Sequence, residues 1–343
     1  MNLHIQQDHD VHDHSHDQED HSHKHYSGIR GFLDGRLRPH SHDHSDLAAD
    51  PAFSDNEAGI RTVWLALAAL TITSILQIAI VYASGSVALF ADAAHNVGDG
   101  LNSIPLLIAF YLARRVATRR YTFGYGRAED IAGIFIVLSI LVSAGIIFWE
   151  SFQRLLNPQP IDSIGWVAAA AIIGFLGNEA VAILQIRVGK RIGSAALIAD
   201  GLHARSDGLT SLAVLLAATG SWLGFPLADP FVGLLIGVVI LFISWDATKR
   251  MWYRLMDAVE PEIVQQVETS VAFHPDVQSI QRLRLRWLGH QLQGDMKLLL
   301  QPTSKSHTVK EEIRHTLQHE VPKLADLTIE LENGSGYKAT TPP

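Results

Sequence analysis

The sequence predicts an α-helical membrane protein, with six transmembrane helices followed by a small α+β domain outside the bilayer. Three observations carry that expectation. Of 343 residues, 48% are hydrophobic and 18% charged, and the apolar runs gather within residues 61–250 while the flanks hold most of the charge. Each run is long enough to be a span, which needs roughly 20 mainly apolar residues. Basic residues, finally, concentrate in alternate loops, the bias that orients a chain in a membrane.

The spans fall at about 62–83, 87–112, 130–150, 164–186, 194–219 and 229–247. Between them lie "ASGS" (83–86), "NPQP" (157–160), "GKRIGS" (189–194) and "GFPLADP" (224–230), all rich in turn formers. The link from the second to the third span carries Arg114, Arg115, Arg119, Arg120 and Arg127. The link from the fourth to the fifth carries Arg187, Lys190 and Arg191, and Lys249, Arg250 and Arg254 follow the sixth. The opposite loops have only Arg154, so both termini are expected in the cytoplasm. After the last span, residues 262–273 place Ile263, Val264, Val267 and Val271 at helical spacing. Strands are expected at 277–289, with Gly289 in a turn, and at 292–301; a helix follows at 308–321 and a last strand at 326–332. The domains are then a tail (1–60), a transmembrane domain (61–250), a cytoplasmic domain (251–335) and a flexible end (336–343).

The tail lacks the basic-then-apolar order of a cleaved signal peptide. Eleven of the 18 histidines lie within the first 44 residues, interleaved with Asp and Ser. Such a segment cannot bury enough apolar surface to fold alone and reads as disordered. Its imidazoles and carboxylates suit loose capture of divalent metal, against the plainer role of a solubilising tail. The formal net charge of −8 partly reflects this tail. With no cysteine, any metal must be held by nitrogen and oxygen ligands.

Inside the apolar region one motif occurs twice. "ADAAHNVGDGLNS" (91–103) and "ADGLHARSDGLTS" (199–211) agree at seven of thirteen positions, among them Asp92/Asp200, His95/His203 and Asp99/Asp207. A charge near the bilayer centre costs ~2.5–3.5 kcal/mol on insertion scales, so such residues face a bundle interior and mark a pathway. His and Asp four apart share one helix face, with the earlier Asp on the same side. Each motif is centred about ten residues, or ~15 Å, into its helix, which is half of a ~30 Å core. The two helices run antiparallel, so both half-sites reach the midplane, as in inverted-repeat transporters. Two His and two Asp around one ion make a tetrahedral site suited to Zn²⁺. The plainer alternative is a polar helix contact or a buried proton-sharing pair, and matched copies at matched depth weigh against it.

These features resemble the cation diffusion facilitator family: six helices, HxxxD in the second and fifth, "RRYTFGYGRAED" (119–130) and a small C-terminal domain. The resemblance implies export of Zn²⁺ and related divalent ions from the cytoplasm in exchange for protons, by a homodimer. It implies a four-ligand site at His95, Asp99, His203 and Asp207, and a ferredoxin-like C-terminal domain. In such proteins His at the first helix-2 position accompanies zinc preference, and Asp there a broader range; this chain has His95. The transported metal is the substrate, with Co²⁺, Cd²⁺ and Ni²⁺ also able to occupy such ligands. The partners are protons and the lipid bilayer of a bacterial inner membrane; no organic cofactor, nucleic acid or enzymatic activity is expected. Proton exchange also has a general basis, since metal ligands must be deprotonated and histidine titrates in the accessible range. No GxxxxGK[ST] marks a nucleotide-driven pump.

Other residues leave alternatives open. Asp92, Asp200 and Asn96 are candidates to support the ligands or relay protons, as is Glu179, which with Asn178 interrupts the fourth span. Helix-to-helix hydrogen bonds are the alternative for these and for Asn102, Ser103, Ser206 and Ser211. Arg205, inside the second motif, can snorkel or pair with an acid. Arg127 and Asp257 match positions that form a charge interlock in the family, the alternative being the ordinary cytoplasmic bias. Departures also appear. Where metal-sensing relatives carry histidines, this chain has Gln281, Lys297, Glu312, Glu330 and Glu332, and Tyr125 replaces a further histidine. His315 and His319, four apart, read as an exposed polar face rather than a metal pair. A membrane metal sensor or storage protein would share the tail and midplane site without moving ions. A channel would need weaker, multi-site coordination.

Overall fold

A helix surrounded by lipid satisfies all its backbone polar groups internally, so the long apolar runs of this chain become helices. The computed structural model describes residues 51–84, 98, 100–156, 164–225, 227–302 and 306–333. Within them lie α1 (Pro51–Ser84), α2 (Ser103–Ala113), α3 (Arg127–Leu156), α4 (Ile164–Ile192), α5 (Ala195–Trp222) and α6 (Ala228–Leu255). Four of these, α1, α3, α4 and α6, are long and apolar enough to cross a membrane. The fifth helix has 28 residues, ample for a span, but Asp200, Arg205 and Asp207 interrupt its apolar character. Only the second half of the expected second span is described, as the short apolar helix α2. Several helices outrun their predicted spans. The boundary expected at residue 60 falls inside α1, which begins at Pro51 and buries Asn56 and Ile60. Hydropathy marks only the most apolar stretch of a helix, so more polar helix ends read as flanks.

The packing inverts that of a water-soluble core. Ile72, Ile75, Phe135, Val142 and Phe242 face outward, whereas Ala196, Ala199, Ala204 and Ala213 of α5 are buried. Lipid is as apolar as leucine, so membrane helices gain by close approach through small residues instead. Gly133 shows the need: a Cβ there would lie 2.5 Å from Met251 Sδ of α6 and 3.1 Å from Ala196 Cβ of α5. The fifth helix packs on α4, α6, α3 and the start of α2, while α1 covers α4. The helix with the most polar stripe is thus kept from lipid, as the cost of intramembrane charge requires.

Turns are set by local chemistry. Gly193 takes φ +78° after α4, and the Ser194 side chain then caps α5 by accepting from the Leu197 amide at 3.0 Å. At the end of α6, Asp257 adopts φ 54°. The Ala258 amide donates to Tyr253 O and the Asp257 amide to Arg254 O, the paired bonds of a Schellman cap.

The C-terminal domain comprises α7 (Pro261–Ala272), β1 (Val277–Leu288), β2 (Gln291–Leu300), α8 (Ser306–Glu320) and β3 (Leu324–Asn333). All five predicted elements are found in the predicted order. The sheet is mixed, in the order β1-β2-β3, with β1–β2 antiparallel and β2–β3 parallel. Gly289, with φ 61°, and His290 form the two-residue turn between β1 and β2. Leu292, Met296, Leu298 and Leu300 of central β2 are buried with Val267 and Val271 of α7 and Val309, Ile313 and Leu317 of α8.

Candidate metal site

The second copy of the repeated motif lies on α5, and its spacing brings its side chains onto one inward face. His203 is 3% exposed, and its Nε2 lies 3.8 Å from Asp207 Oδ2. The same Nε2 is 2.9 Å from Asn102 Nδ2, at the start of α2. An amide nitrogen only donates, so the ring nitrogen presents its lone pair there. Asn102 also donates to Ser139 Oγ of α3 at 3.0 Å, tying three helices to the imidazole. One turn nearer the cytoplasm, buried Asp200 accepts from Ser103 Oγ of α2 at 2.7 Å and from Gln185 Nε2 of α4. Asp200 thereby fixes the rotation of α5 against both neighbours.

Asp207 borders a cavity of about 10 Å³, lined also by Leu70, Thr73, Ser74, Gln77, Gly100 and Asn178. That is room for about one water. Thr73, Ser74 and Gln77 are all buried in α1 and line this cavity, with Thr73 Oγ1 donating to Ala69 O at 3.0 Å and Gln77 Nε2 to Ala170 O at 3.3 Å. They went unnoticed in the sequence, where the only signal is their spacing on one helical face. Glu179 and Arg205 find each other: Arg205 Nη2 and Nε donate to the two Glu179 oxygens at 2.7 and 3.2 Å. The pair answers where Arg205 goes, and it commits the Glu179 carboxylate to a two-point bond. Asn178 Nδ2 turns back to Gly174 O within α4.

The first copy of the motif is a different matter. Asp92, His95, Asn96 and Asp99 lie outside the described residues, as does the histidine-rich tail. Among the described residues no three of His, Asp and Glu cluster closely enough to hold a metal ion.

At the cytoplasmic junction Arg127 pairs with Asp257 and donates to Arg254 O at 3.2 Å. Beside it lies a contact that sequence reading missed altogether. His290, in the β1–β2 turn, donates from Nδ1 to Glu129 Oε2 at 2.8 Å, with both side chains at most 4% exposed. Arg254 joins the same junction, donating to Gly289 O and Gly193 O while its guanidinium stacks 4.2 Å from the Trp287 ring centre. In the C-terminal domain, Lys297 pairs with Glu332, Arg282 with Asp295 and Glu330, and His274 with Glu312. Lys297, Glu330 and Glu332, at positions where metal-sensing relatives are expected to carry histidines, are thus held in ion pairs, and Glu312 is hydrogen-bonded to His274.

A bundle of apolar helices long enough to cross a membrane, followed by a small α+β domain, is the build of a multi-pass membrane protein. The chain belongs to the cation efflux, or cation diffusion facilitator, family: residues 63–256 match the cation efflux transmembrane domain and residues 259–334 the cation efflux protein cytoplasmic domain. It is 49% identical over 322 residues to a probable cation efflux system protein of Mycobacterium tuberculosis, covering 93% of this chain and 94% of that one. It is 31% identical over 265 residues to the cation-efflux pump FieF of Serratia proteamaculans (75% and 88% covered). It is also 29% identical over 273 residues to the magnetosome protein MamB of Magnetospirillum gryphiswaldense (78% and 92% covered).

Proposed function

We propose that this protein exports Zn²⁺ from the cytoplasm of a bacterium by exchange for protons, as a homodimer in the inner membrane with both termini in the cytoplasm. Co²⁺, Cd²⁺ and Ni²⁺ are secondary substrates. The observation that carries the reading is the His203–Asp207 pair on the inward face of α5, with His203 Nε2 3.8 Å from Asp207 Oδ2. The first copy of the motif, His95 and Asp99, would supply the matching half, for two nitrogen and two oxygen ligands in all. A metal ion entering this site competes with the Asn102 amide for the Nε2 lone pair. The Asn102 contact gives the buried Nε2 a hydrogen-bond partner when the site is empty. Protonation of His203 removes that lone pair, so protons and metal exclude each other at one place. Alternating exposure of that place to the two sides is then sufficient for antiport.

The test is metal flux in vesicles reconstituted with the full chain under an imposed pH gradient, ion by ion, with Asp99→Ala and His203→Ala beside the wild type. Zinc movement driven by the proton gradient, and its loss in both variants while insertion and folding persist, is the expected result. Binding without flux in the wild type would make the protein a metal sensor or store. Undiminished flux in either variant would remove that residue from the pathway.

A further inference from the structure

The cytoplasmic ends of α4 and α6, the α4–α5 turn and one edge of the C-terminal domain enclose a cavity of about 760 Å³. Small-molecule sites commonly measure ~300–1,000 Å³. Five cations line this one, Lys190, Lys249, Arg250, Arg254 and Lys323, against the two carboxylates of Asp246 and Glu260. Two of the five are already engaged: Arg250 pairs with Asp246 at 3.0 Å, and Arg254 serves the Gly193 and Gly289 carbonyls. Glu260 accepts from Trp287 Nε1 at 2.9 Å. Among the described residues Lys190, Lys249 and Lys323 have no carboxylate within 4.0 Å. The cavity is therefore a concave surface with three ammonium groups left for an anion.

Its height in the membrane follows from the aromatic residues around it. Trp245, Trp252 and Tyr253 are exposed on α6 on either side of Lys249 and Arg250, the position aromatic side chains take at the headgroup layer. The ordinary cytoplasmic bias accounts for the basic ends of α4 and α6, but not for Lys323, which comes from the loop before β3. That ammonium lies 6.0 Å from the Trp287 ring centre and against Gly193, and burial lowers its pKa despite the nearby Asp55 carboxylate. An anion beside it would offset that burial.

We propose that this cavity binds the phosphate-bearing headgroup of an anionic phospholipid, which bridges Lys190 and Lys249 of the membrane domain to Lys323 of the C-terminal domain. A phosphodiester offers only acceptors and an ammonium only donors, so the two are matched. The cytoplasmic leaflet supplies such lipids, and basic pockets between helices on that side hold their headgroups. Ile198, Val259 and Ile263 give the wall an apolar part against which the glycerol can lie. Docking of the C-terminal domain would then depend on the lipid composition of the membrane.

The test titrates phosphatidylglycerol into the full chain in neutral detergent and counts bound lipid by native mass spectrometry. Wild type is compared with Lys249→Gln/Lys323→Gln, with Lys323→Gln alone, with Lys249→Arg/Lys323→Arg, and with Arg119→Gln/Arg120→Gln, which removes exposed charge on the same face away from the cavity. The expected result is an affinity about tenfold or more weaker in the double Gln variant. The single variant should be intermediate, so a failure of the double variant to fold does not remove the test; the Arg variant should bind as wild type, and the Arg119/Arg120 control should change by less than about twofold. Phosphatidylcholine should bind more weakly, and inorganic phosphate at equal concentration should not displace the lipid. Equal binding in the Gln variants, or an equal loss in the control, overturns the site. Equal binding of phosphatidylcholine overturns the requirement for an anionic lipid. Displacement by inorganic phosphate overturns the lipid assignment in favour of a soluble phosphate compound.

Discussion

Truncating Glu129 to Ala should loosen the C-terminal domain from the membrane helices more than any surface change could. Exposed ion pairs contribute about 0–1 kcal/mol because water screens them and competes for both partners. Here Glu129 is 1% exposed and His290 4%, at 2.8 Å, and water competes for neither. Removing one partner of a buried pair costs ~3–5 kcal/mol because the other is left uncompensated. Two groups would be left in this case: the His290 N–H, packed near Phe110, and the buried Arg254 guanidinium, whose charge Glu129 helps to balance. We expect a loss of about 3 kcal/mol, roughly a hundredfold in the folding equilibrium. Glu129→Gln keeps an acceptor for His290 and should cost about half as much. The assay is equilibrium urea unfolding of the full chain in detergent, run as a double-mutant cycle with His290→Ala. Coupling of about 1.5 kcal/mol or more between the two sites is expected. A cost for Glu129→Ala within the ~0.5 kcal/mol of ordinary surface changes, or additivity of the two substitutions, would refute the reasoning.

Three further outcomes are expected. Gly133→Val should cost ~1–3 kcal/mol by forcing α3 away from Ala196 and Met251, whereas Gly145→Ala, with nothing within 4 Å of the new Cβ, should be neutral or stabilise by up to ~1 kcal/mol; thermal unfolding in detergent separates the two. Deleting residues 1–44 should leave the maximal transport rate intact and lower flux only at scarce metal, as a concentration series in vesicles would show; a loss at saturating metal would put the tail in the pathway. His95→Asp should raise Cd²⁺ flux relative to Zn²⁺ and flatten the pH dependence between pH 6 and 8, because an anionic oxygen would replace an imidazole, the side chain whose ordinary pKa lies in that range. Unchanged preference and pH profile would exclude His95 as a ligand and point to Asp92.

What the sequence disclosed and what it concealed divide along a physical line. A span is a property of ~20 consecutive residues against a solvent of known thickness, so α3, α4 and α6 could be located from composition alone. The same holds for the His203–Asp207 pair, since four-residue spacing on one helix needs no tertiary information. The α-β-β-α-β order of the C-terminal domain was equally local, because its elements bury one face at periods of two and 3.6. Partners across helices obey no such rule. Asn102 and His203 are 101 residues apart, and Glu129 and His290 are 161 apart. Nothing in "RAED" or "LGHQ" announces the other.

That division bears on mechanism. The residues legible from sequence are the His203–Asp207 pair proposed to meet the ion, while the concealed ones hold that pair in place and join the two domains. Asn102 presents the His203 lone pair, Asp200 sets the rotation of α5 through Ser103 and Gln185, and Arg254 joins the α4–α5 turn to the β1–β2 turn. Each of these contacts crosses between elements that alternating access would have to move. The hydrogen bonds from Ser103 and Gln185 to Asp200 couple any rotation of α5 to α2 and α4. The Arg254 contacts tie α6 to the C-terminal domain, next to the Glu129–His290 contact. A transporter of this build therefore spends its buried polar groups in two layers. One layer surrounds the proposed ion site within the bundle, and a second, at the cytoplasmic edge, joins the membrane helices to the C-terminal domain.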